Sequence, residues 1–181
     1  MCKIQTFQSL EQKLIYEGKM FTSSGQVIDE LAVDGEIITR IQAPLKKHIF
    51  IKGLRIKGKG SDLLIELFRD ITIVDGGLYQ ENAYRNMNHN SDKVAETKIY
   101  IQTPVYPITW TGGYRVEPYI IHGDSSQLVT SSDIHVEFNY SFLVTKNNNE
   151  NYILRMTNIG DDVAKNILIA SKIHESTLGL Y

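Results

Sequence analysis

The sequence predicts an all-β domain, a sandwich or barrel of antiparallel strands, and two observations carry that prediction. Short runs in which apolar and polar residues alternate recur along the chain, and this alternation is the period of a strand with one buried face. Turn-forming residues separate the runs at the spacing expected of such folds, which gives about nine strands. The 181 residues, of which 42% are hydrophobic and 22% charged, have the size and composition of one globular domain.

The first 20 residues differ from the rest, so we divide the chain into an N-terminal arm, residues 1–20, and a single β-sandwich domain, residues 21–181. Ser9 is a helix-capping residue type, and Leu10 and Leu14 recur at helical spacing, which predicts one short helix or an ordered arm before Gly18. Such an arm either wraps a neighbouring molecule or caps the open end of the sandwich.

The first strands of the domain flank the turn formed by Asp34 and Gly35, although residues 27–33 also fit one helical turn. In the next run, residues 48–59, Ile49 and Ile51 stand at odd positions, whereas Leu54 and Ile56 stand at even positions. A β-bulge at Gly53 would place all four on one face, because one extra residue inverts the alternation.

The same stretch concentrates positive charge between residues 46 and 59. One interpretation is contact with an acidic partner surface, and the other is a solvated outer face with a charged edge that discourages aggregation. Nucleic acid is the less favoured partner because the stretch lacks interleaved aromatic residues. The candidate contact residues are Lys52, Arg55, Lys57 and Lys59.

Residues 63–67 and 71–74 read as strands that end at a turn, residues 75–77. The following segment, residues 79–92, is rich in Asn and has little apolar periodicity, which predicts a long surface loop. Long loops on rigid sheets often carry recognition. The candidate contacts in this loop are Tyr84, Arg85, Asn86, Asn88 and His89.

A strand at residues 97–101 is ended by Pro104 and Pro107, because proline cannot donate into a sheet ladder. An aromatic group follows, around a turn predicted at residues 109–113. Its members are candidate contacts for a glycan or a protein, and packing under a loop is the alternative. We single out Trp110 and Tyr114.

The most regular pattern lies between residues 133 and 158, where two alternating runs flank a polar tip with three consecutive Asn residues. This pattern predicts a hairpin at the centre of a sheet. After a turn at residues 160–162, a final long strand follows.

Motifs for chemistry are weak or absent, so we predict a protein that is not an enzyme and has no metal or cofactor. His135 and Glu137 have an H-x-E spacing but lack further His ligands nearby. The lone cysteine, Cys2, cannot form an internal disulfide, which suits folding in a reducing cytoplasm. The first residues lack the apolar core of a signal peptide, and no run is long and apolar enough to span a bilayer, so we expect no membrane association.

Three segments together resemble virion proteins of tailed bacteriophages, of the jelly-roll-like head decoration or head-associated type. The first is LLIELFRDITI, the second is the Asn-rich segment NMNHNS, and the third is the C-terminal block NYILRMTNIGDDVAKNILIASKIHES, with Glu175 near its end. Met87 and His89 stand where that family carries arginines, and Ile173-His174 stands where it carries an aromatic pair. The resemblance covers about residues 45–175.

The resemblance implies a jelly-roll-like sandwich and a non-enzymatic virion component made in the host cytoplasm. Our leading hypothesis is a decoration or auxiliary protein on the capsid surface that docks on the major capsid protein, contacts other virion proteins and stabilises the shell. A homo-oligomer is expected, with a trimer favoured. The alternatives are a receptor- or glycan-binding module of a fibre or tail, using Trp110 and its neighbours, and a head-to-tail connector component.

Overall fold

The computed structural model describes residues 10–23, 26–44, 47–116, 118–123, 134–136 and 151–177. Within these ranges it contains one helix, α1 (Leu10–Tyr16), and thirteen strands. The strands are β1 (Met20–Ser23), β2 (Gln26–Leu31), β3 (Glu36–Gln42), β4 (Lys47–Lys59), β5 (Leu63–Gly76), β6 (Leu78–Gln80), β7 (Tyr84–Asn86), β8 (Lys98–Ile101), β9 (Ile108–Arg115), β10 (Tyr119–Ile121), β11 (Ile134–Val136), β12 (Asn151–Asn158) and β13 (Ala164–Thr177). The predicted number, about nine, was too low because four strands have only three residues, too few to show a period.

The strands form two antiparallel sheets that pack as a sandwich, which confirms the predicted fold class. The first sheet has the order β11-β4-β13-β1-β7, and β2 also pairs with β13. The second sheet has the order β10-β5-β12-β3-β8-β6, and β9 also pairs with β5. The buried cluster between the sheets draws on both, with Ile56 and Ile173 from the first and Ile65 and Met156 from the second.

The order of the strands is that of a jelly roll. If β1 and β2 count as one strand position and β9 and β10 as another, the chain crosses between the sheets to give β11-β4-β13-β2 facing β10-β5-β12-β3. Eight positions in two four-stranded sheets with these crossings are the jelly-roll arrangement. The predicted hairpin at residues 133–158 was therefore wrong over the described residues, because β11 and β12 lie in different sheets; its tip lies outside them.

The predicted N-terminal helix is present and ends as expected at Gly18. The amide of Gly18 donates to the carbonyl of Ile15, and the amide of Lys19 donates to that of Leu14. This pair of bonds is the Schellman arrangement, which requires a left-handed residue, and Gly18 has a φ of 65°. The helix therefore stops where β1 must begin its pairing with β13.

The predicted bulge at Gly53 is also confirmed. Gly53 lies opposite Lys172 on β13, and Ile51 lies opposite Ile173, so Lys52 is the extra residue. Ile49 and Ile56, which differ in parity, are both completely buried. The bulge thus keeps Ile49 and Ile56, which lie on either side of it, toward the core.

The second half of β5 bends back over the outer face of the second sheet. Asp70 has a φ of 55°, and Gly112 and Gly113 on the paired strand β9 have φ values of 67° and 79°. Arg40 on β3 and Phe68 on β5 both lie opposite Ile153 of the strand between them. In a straight strand, Gly76 would lie about 26 Å beyond Phe68, yet its carbonyl oxygen is 3.2 Å from Nη1 of Arg40. The end of β5 must therefore fold back. The predicted turn at residues 109–113 was wrong, because its glycines bend a continuous strand.

This bend creates a second apolar cluster, which we call the outer cluster. Ile153 is completely buried although it faces away from the core between the sheets, because Ile73 on β5 and Trp110 on β9 cover it. The outer cluster consists of Ile38, Ile108 and Ile153 with Phe68, Ile71, Ile73, Tyr100 and Trp110 packed against them. The sandwich therefore has a partial third layer on one side.

Candidate functional site

Residues 78–101, which we call the bridging segment, extend both sheets on the same side of the sandwich. Within it, β8 pairs with the edge strand β3 of the second sheet, β6 pairs with β8, and β7 pairs with β1 of the first sheet. The predicted surface loop at residues 79–92 was therefore wrong in part, because it contains the end of β6 and all of β7. The segment joins the two sheets where a sandwich would otherwise be open.

Tyr84 is an internal residue of this segment and not a surface contact as predicted. Its side chain is 5% exposed, and its hydroxyl lies 2.8 Å from the hydroxyl of Ser171 on β13. Burial raises the pKa of Tyr84 to about 12, so the phenol is neutral. The alternation on β7 places this side chain in the core and Arg85 outward.

The other predicted contacts of the segment differ in accessibility. Arg85 and His89 are exposed, whereas Asn86 and Asn88 are half-buried and hydrogen-bonded to neighbouring backbone. Nδ2 of Asn86 donates to the carbonyls of Gly18 and Lys93, and Nδ2 of Asn88 donates to that of Tyr16. The two half-buried amides therefore tie the segment to the end of α1.

A buried carboxylate fixes the other end of the bridging segment. Oε1 of Glu175 accepts hydrogen bonds from the amides of Glu96 and Thr97 and from the Thr97 hydroxyl, at 2.7 to 2.9 Å. Oε2 lies 3.3 Å from Nζ of Lys47. Several donors thus compensate the cost of burying this charge and hold the start of β8 against β13.

A cleft lies between the sheets where the bridging segment crosses, and we call it the inter-sheet cleft. Its volume is about 390 Å³, within the range of small-molecule sites. The inner walls are aliphatic and the mouth is polar. The aliphatic lining consists of Ile41, Ile99, Ile101, Leu154 and Ile169, and the more exposed polar lining of Ser23, Gln26, Gln80, Glu81, Asn82 and Arg85.

One polar atom within the cleft has no hydrogen-bond partner among the described residues. Thr39 on β3 lies between Ile101 and Leu154 in the register of the second sheet, and its side chain is 7% exposed. Its Oγ1 is buried and unpaired. Because leaving a buried hydroxyl unsatisfied costs about 1–3 kcal/mol, this hydroxyl needs a partner that the described residues do not supply.

A second candidate surface is the outer edge of β9 and β10, which we call the free edge. Among the described residues, both strands pair with β5 alone. Tyr114, Tyr119 and Ile120 are 47%, 42% and 44% exposed along it. The guanidinium of Arg69 stacks on the Tyr114 ring at 4.4 Å from its centroid. The edge therefore presents aromatic and aliphatic side chains beside backbone groups that can still pair.

The inward side of the free edge is firmly anchored. Glu66 is 2% exposed, and its carboxylate accepts hydrogen bonds from Arg115 on β9 at 2.7 Å and from Arg155 on β12 at 2.8 Å. Burial raises the pKa of Glu66, but the hydrogen bonds from the two arginines lower it more, so the net pKa lies below the usual value. The carboxylate is thus held in its charged form between two cations.

Trp110 lies within the outer cluster. The tryptophan ring is half-buried and packs on Phe68 with 5.4 Å between ring centroids. This placement favours the packing interpretation of Trp110 over that of an open stacking platform. Tyr114, in contrast, is exposed where the sequence placed a candidate contact.

The predicted basic contacts lie on or near the bulged part of β4. This strand is paired on both sides there, with β13 and over residues 54–56 with β11, so it is not a sheet edge at these positions. Lys59 is exposed at the end of the strand. The backbone positions of Lys52, Arg55 and Lys57 are described, but their side chains lie outside the described residues, as does residue 46.

Sequence reasoning missed the inter-sheet cleft, and no local signal pointed to it. Its lining comes from eight strands and from the turn between β6 and β7, and Thr39 resembles any strand threonine in the sequence. Of the free edge, the sequence predicted only Tyr114 as a contact. The alternation of apolar and polar residues identifies a strand but does not show whether that strand lies at the edge of a sheet.

The described residues contain no group of three or more His, Cys, Asp or Glu side chains placed to hold a metal ion. They also contain no helix of the length and apolar character that crossing a membrane requires.

Comparison of the chain with protein-family models, with curated proteins and with solved structures found no match.

Proposed function

We propose that the protein is a non-enzymatic structural component of a tailed-bacteriophage virion, one that docks on the major capsid protein at the capsid surface and stabilises the shell. The observation that carries this proposal is the free edge, with Tyr114, Tyr119 and Ile120 exposed beside strand backbone that pairs only with β5 among the described residues. Tyrosine is enriched at protein interfaces, and an open strand edge can accept a partner strand.

Two further features support the proposal. The jelly-roll strand order is one that viral capsid domains use, although the fold alone does not fix a function. The anchoring of Arg115 to Glu66 and of Trp110 to the outer cluster makes the free edge rigid before it meets a partner, and a rigid surface loses less entropy on binding. The choice of the major capsid protein as the partner rests on the resemblance of residues 45–175 to head decoration proteins.

A repeating shell suits such a surface, because several weak contacts in one oligomer act together. We therefore expect a homo-oligomer, a trimer by the same resemblance, located on the virion after synthesis in the host cytoplasm. Other virion proteins are further contacts in this proposal.

Co-sedimentation with capsids that lack the protein tests the proposal. We expect the unaltered protein to bind and to raise the temperature at which the capsids open. A variant with Tyr114→Ser, Tyr119→Ser and Ile120→Thr should bind at least about tenfold more weakly, since central aromatic contacts carry most of an interface. Its free energy of unfolding should fall by no more than about 2 kcal/mol, because the three side chains are only partly buried and Tyr114 loses its stack with Arg69.

The matched control replaces exposed side chains elsewhere, with Tyr16→Ser, Val27→Thr and Val94→Ser, and should bind normally. If the unaltered protein does not bind and capsids lacking it are fully stable, the proposed function is wrong. If it binds and the edge variant binds equally well, docking does not use the free edge.

A further inference from the structure

The inter-sheet cleft has the features of a built ligand site that the proposed docking does not use. Its inner walls, formed by Ile41, Leu154 and Ile169, are buried and aliphatic. The unpaired hydroxyl of Thr39 lies on the same inner face of the second sheet. If the cleft stayed empty, a valine at this position would be more stable than a threonine, because it has the same shape and no unsatisfied hydroxyl. A threonine without a described partner therefore points to an occupant that carries a polar atom.

The mouth of the cleft restricts the charge of that occupant. Gln80 and Asn82 offer both donors and acceptors, as side-chain amides do. Glu81 and Arg85 bring one charge of each sign, and neither forms an ion pair among the described residues, so the mouth has no net charge. The described residues of the lining include no aromatic ring on which a sugar could stack.

We propose that the inter-sheet cleft binds a small neutral molecule that has an aliphatic body and amide or hydroxyl groups. The aliphatic body fills the space between Ile41, Leu154 and Ile169. One polar group bonds the hydroxyl of Thr39 once that side chain rotates, because Oγ1 is buried in the unliganded structure. Another exchanges hydrogen bonds with the amides of Gln80 and Asn82 at the mouth. The site is independent of capsid docking, so either proposal can fail alone.

A titration followed by NMR of labelled isoleucine methyl groups tests the proposal on the full chain. The probes are Nα-acetyl-leucinamide, which is neutral, Nα-acetyl-leucine, which is an anion, and leucinamide, which is a cation. They share one aliphatic body and differ in charge. We expect saturable shifts of the cleft methyls, those of Ile41, Ile99, Ile101 and Ile169, with the neutral probe bound most tightly, and no shift of Ile153 in the outer cluster.

The variant Thr39→Val separates a binding role from a structural one. Valine has the same shape without the hydroxyl, so the variant should bind the neutral probe about threefold to tenfold more weakly and should melt at a higher temperature without ligand. A loss of stability would instead show that the hydroxyl supports the fold. Thr157→Val, a half-buried threonine outside the cleft lining, is the control and should leave binding unchanged.

A second variant blocks the cleft without touching Thr39. Ala83 is half-buried and belongs to the lining, and Ala83→Phe should fill the cavity and abolish the shifts. The proposal is overturned if the neutral probe gives no saturable shifts up to its solubility limit, if a charged probe binds more tightly, or if Thr39→Val binds the neutral probe as well as the unaltered protein.

Discussion

The bridging segment and the free edge differ in how they use their polar and aromatic side chains. In the bridging segment, Tyr84 points into the core and Asn86 bonds the backbone of Gly18 and Lys93. Along the free edge, Tyr114 and Tyr119 remain half exposed while Arg115 anchors the strand from behind. The polar side chains of the Asn-rich bridging segment are thus largely used in hydrogen bonds within the protein. The exposed surface lies on β9, where the sequence predicted a turn.

The difference shows that an irregular, polar sequence does not by itself mark a recognition loop. Asparagine tolerates left-handed backbone and bonds nearby main chain, so it serves a chain that must cross from one sheet to the other. Exposed tyrosines on a strand edge are a stronger indication of binding, because that edge has no second partner strand among the described residues.

The largest effect that we predict tests the internal role of the bridging segment. Tyr84→Ala should lower the free energy of unfolding by about 3–5 kcal/mol, because it leaves a cavity and removes the partner of the Ser171 hydroxyl. Tyr84→Phe keeps the ring and should cost only about 1 kcal/mol. Urea denaturation measures both. A loss below 1 kcal/mol for the alanine variant would mean that the segment is detachable and open to partners after all.

The sequence predicts those features of the fold that have a cause among neighbouring residues. Gly18 ends α1 because the left-handed cap of the helix favours a glycine. The bulge near Gly53 is visible because the aliphatic residues switch there from odd to even positions. The pairing of strands has no such local cause. The period of two assigns a buried face to residues 151–158 but not a partner, and the crossing of a jelly roll placed β11 and β12 in different sheets.

The candidate sites were harder to predict for the same reason. Tyr114 was found as one aromatic residue in a group, but its exposure depends on β9 lying at the edge of a sheet. Thr39 has significance only because distant segments enclose it. Neither the end of a sheet nor the enclosure of a cleft leaves a pattern in consecutive residues.

A smaller effect tests the bend that brings β9 over the outer cluster. Gly113→Ala should cost about 2–3 kcal/mol in urea denaturation, because its φ of 79° strains an alanine and the new methyl group would collide with Ile71 and the carbonyl of Arg69. Gly112→Ala is the matched control. Its φ is 67° but no atom lies within 4 Å of the new methyl group, so about 1 kcal/mol is expected. Equal losses would show that the close approach at Gly113 is relieved by movement of β9 relative to β5.

The smallest effect concerns the ion pairs behind the free edge. Glu66→Gln should lower the free energy of unfolding by about 1–2 kcal/mol at pH 7, because both arginines keep access to solvent and so lose less than a buried cation would. Asp29→Asn, on the exposed side of β2, should change it by less than about 0.5 kcal/mol.

The pH dependence of this loss gives the sharper test. Since the pKa of Glu66 is lower in the folded protein than in the unfolded chain, its charged form contributes stability that is complete above the unfolded value near 4.5. That contribution is lost as the pH falls through the lower, folded value. A protonated Glu66 resembles a glutamine, so urea denaturation at successively lower pH should bring the unaltered protein and Glu66→Gln together. A difference that stays constant from neutral to acidic pH would show that the two arginines do not hold the free edge through the charge of Glu66, and that packing in the outer cluster fixes it instead.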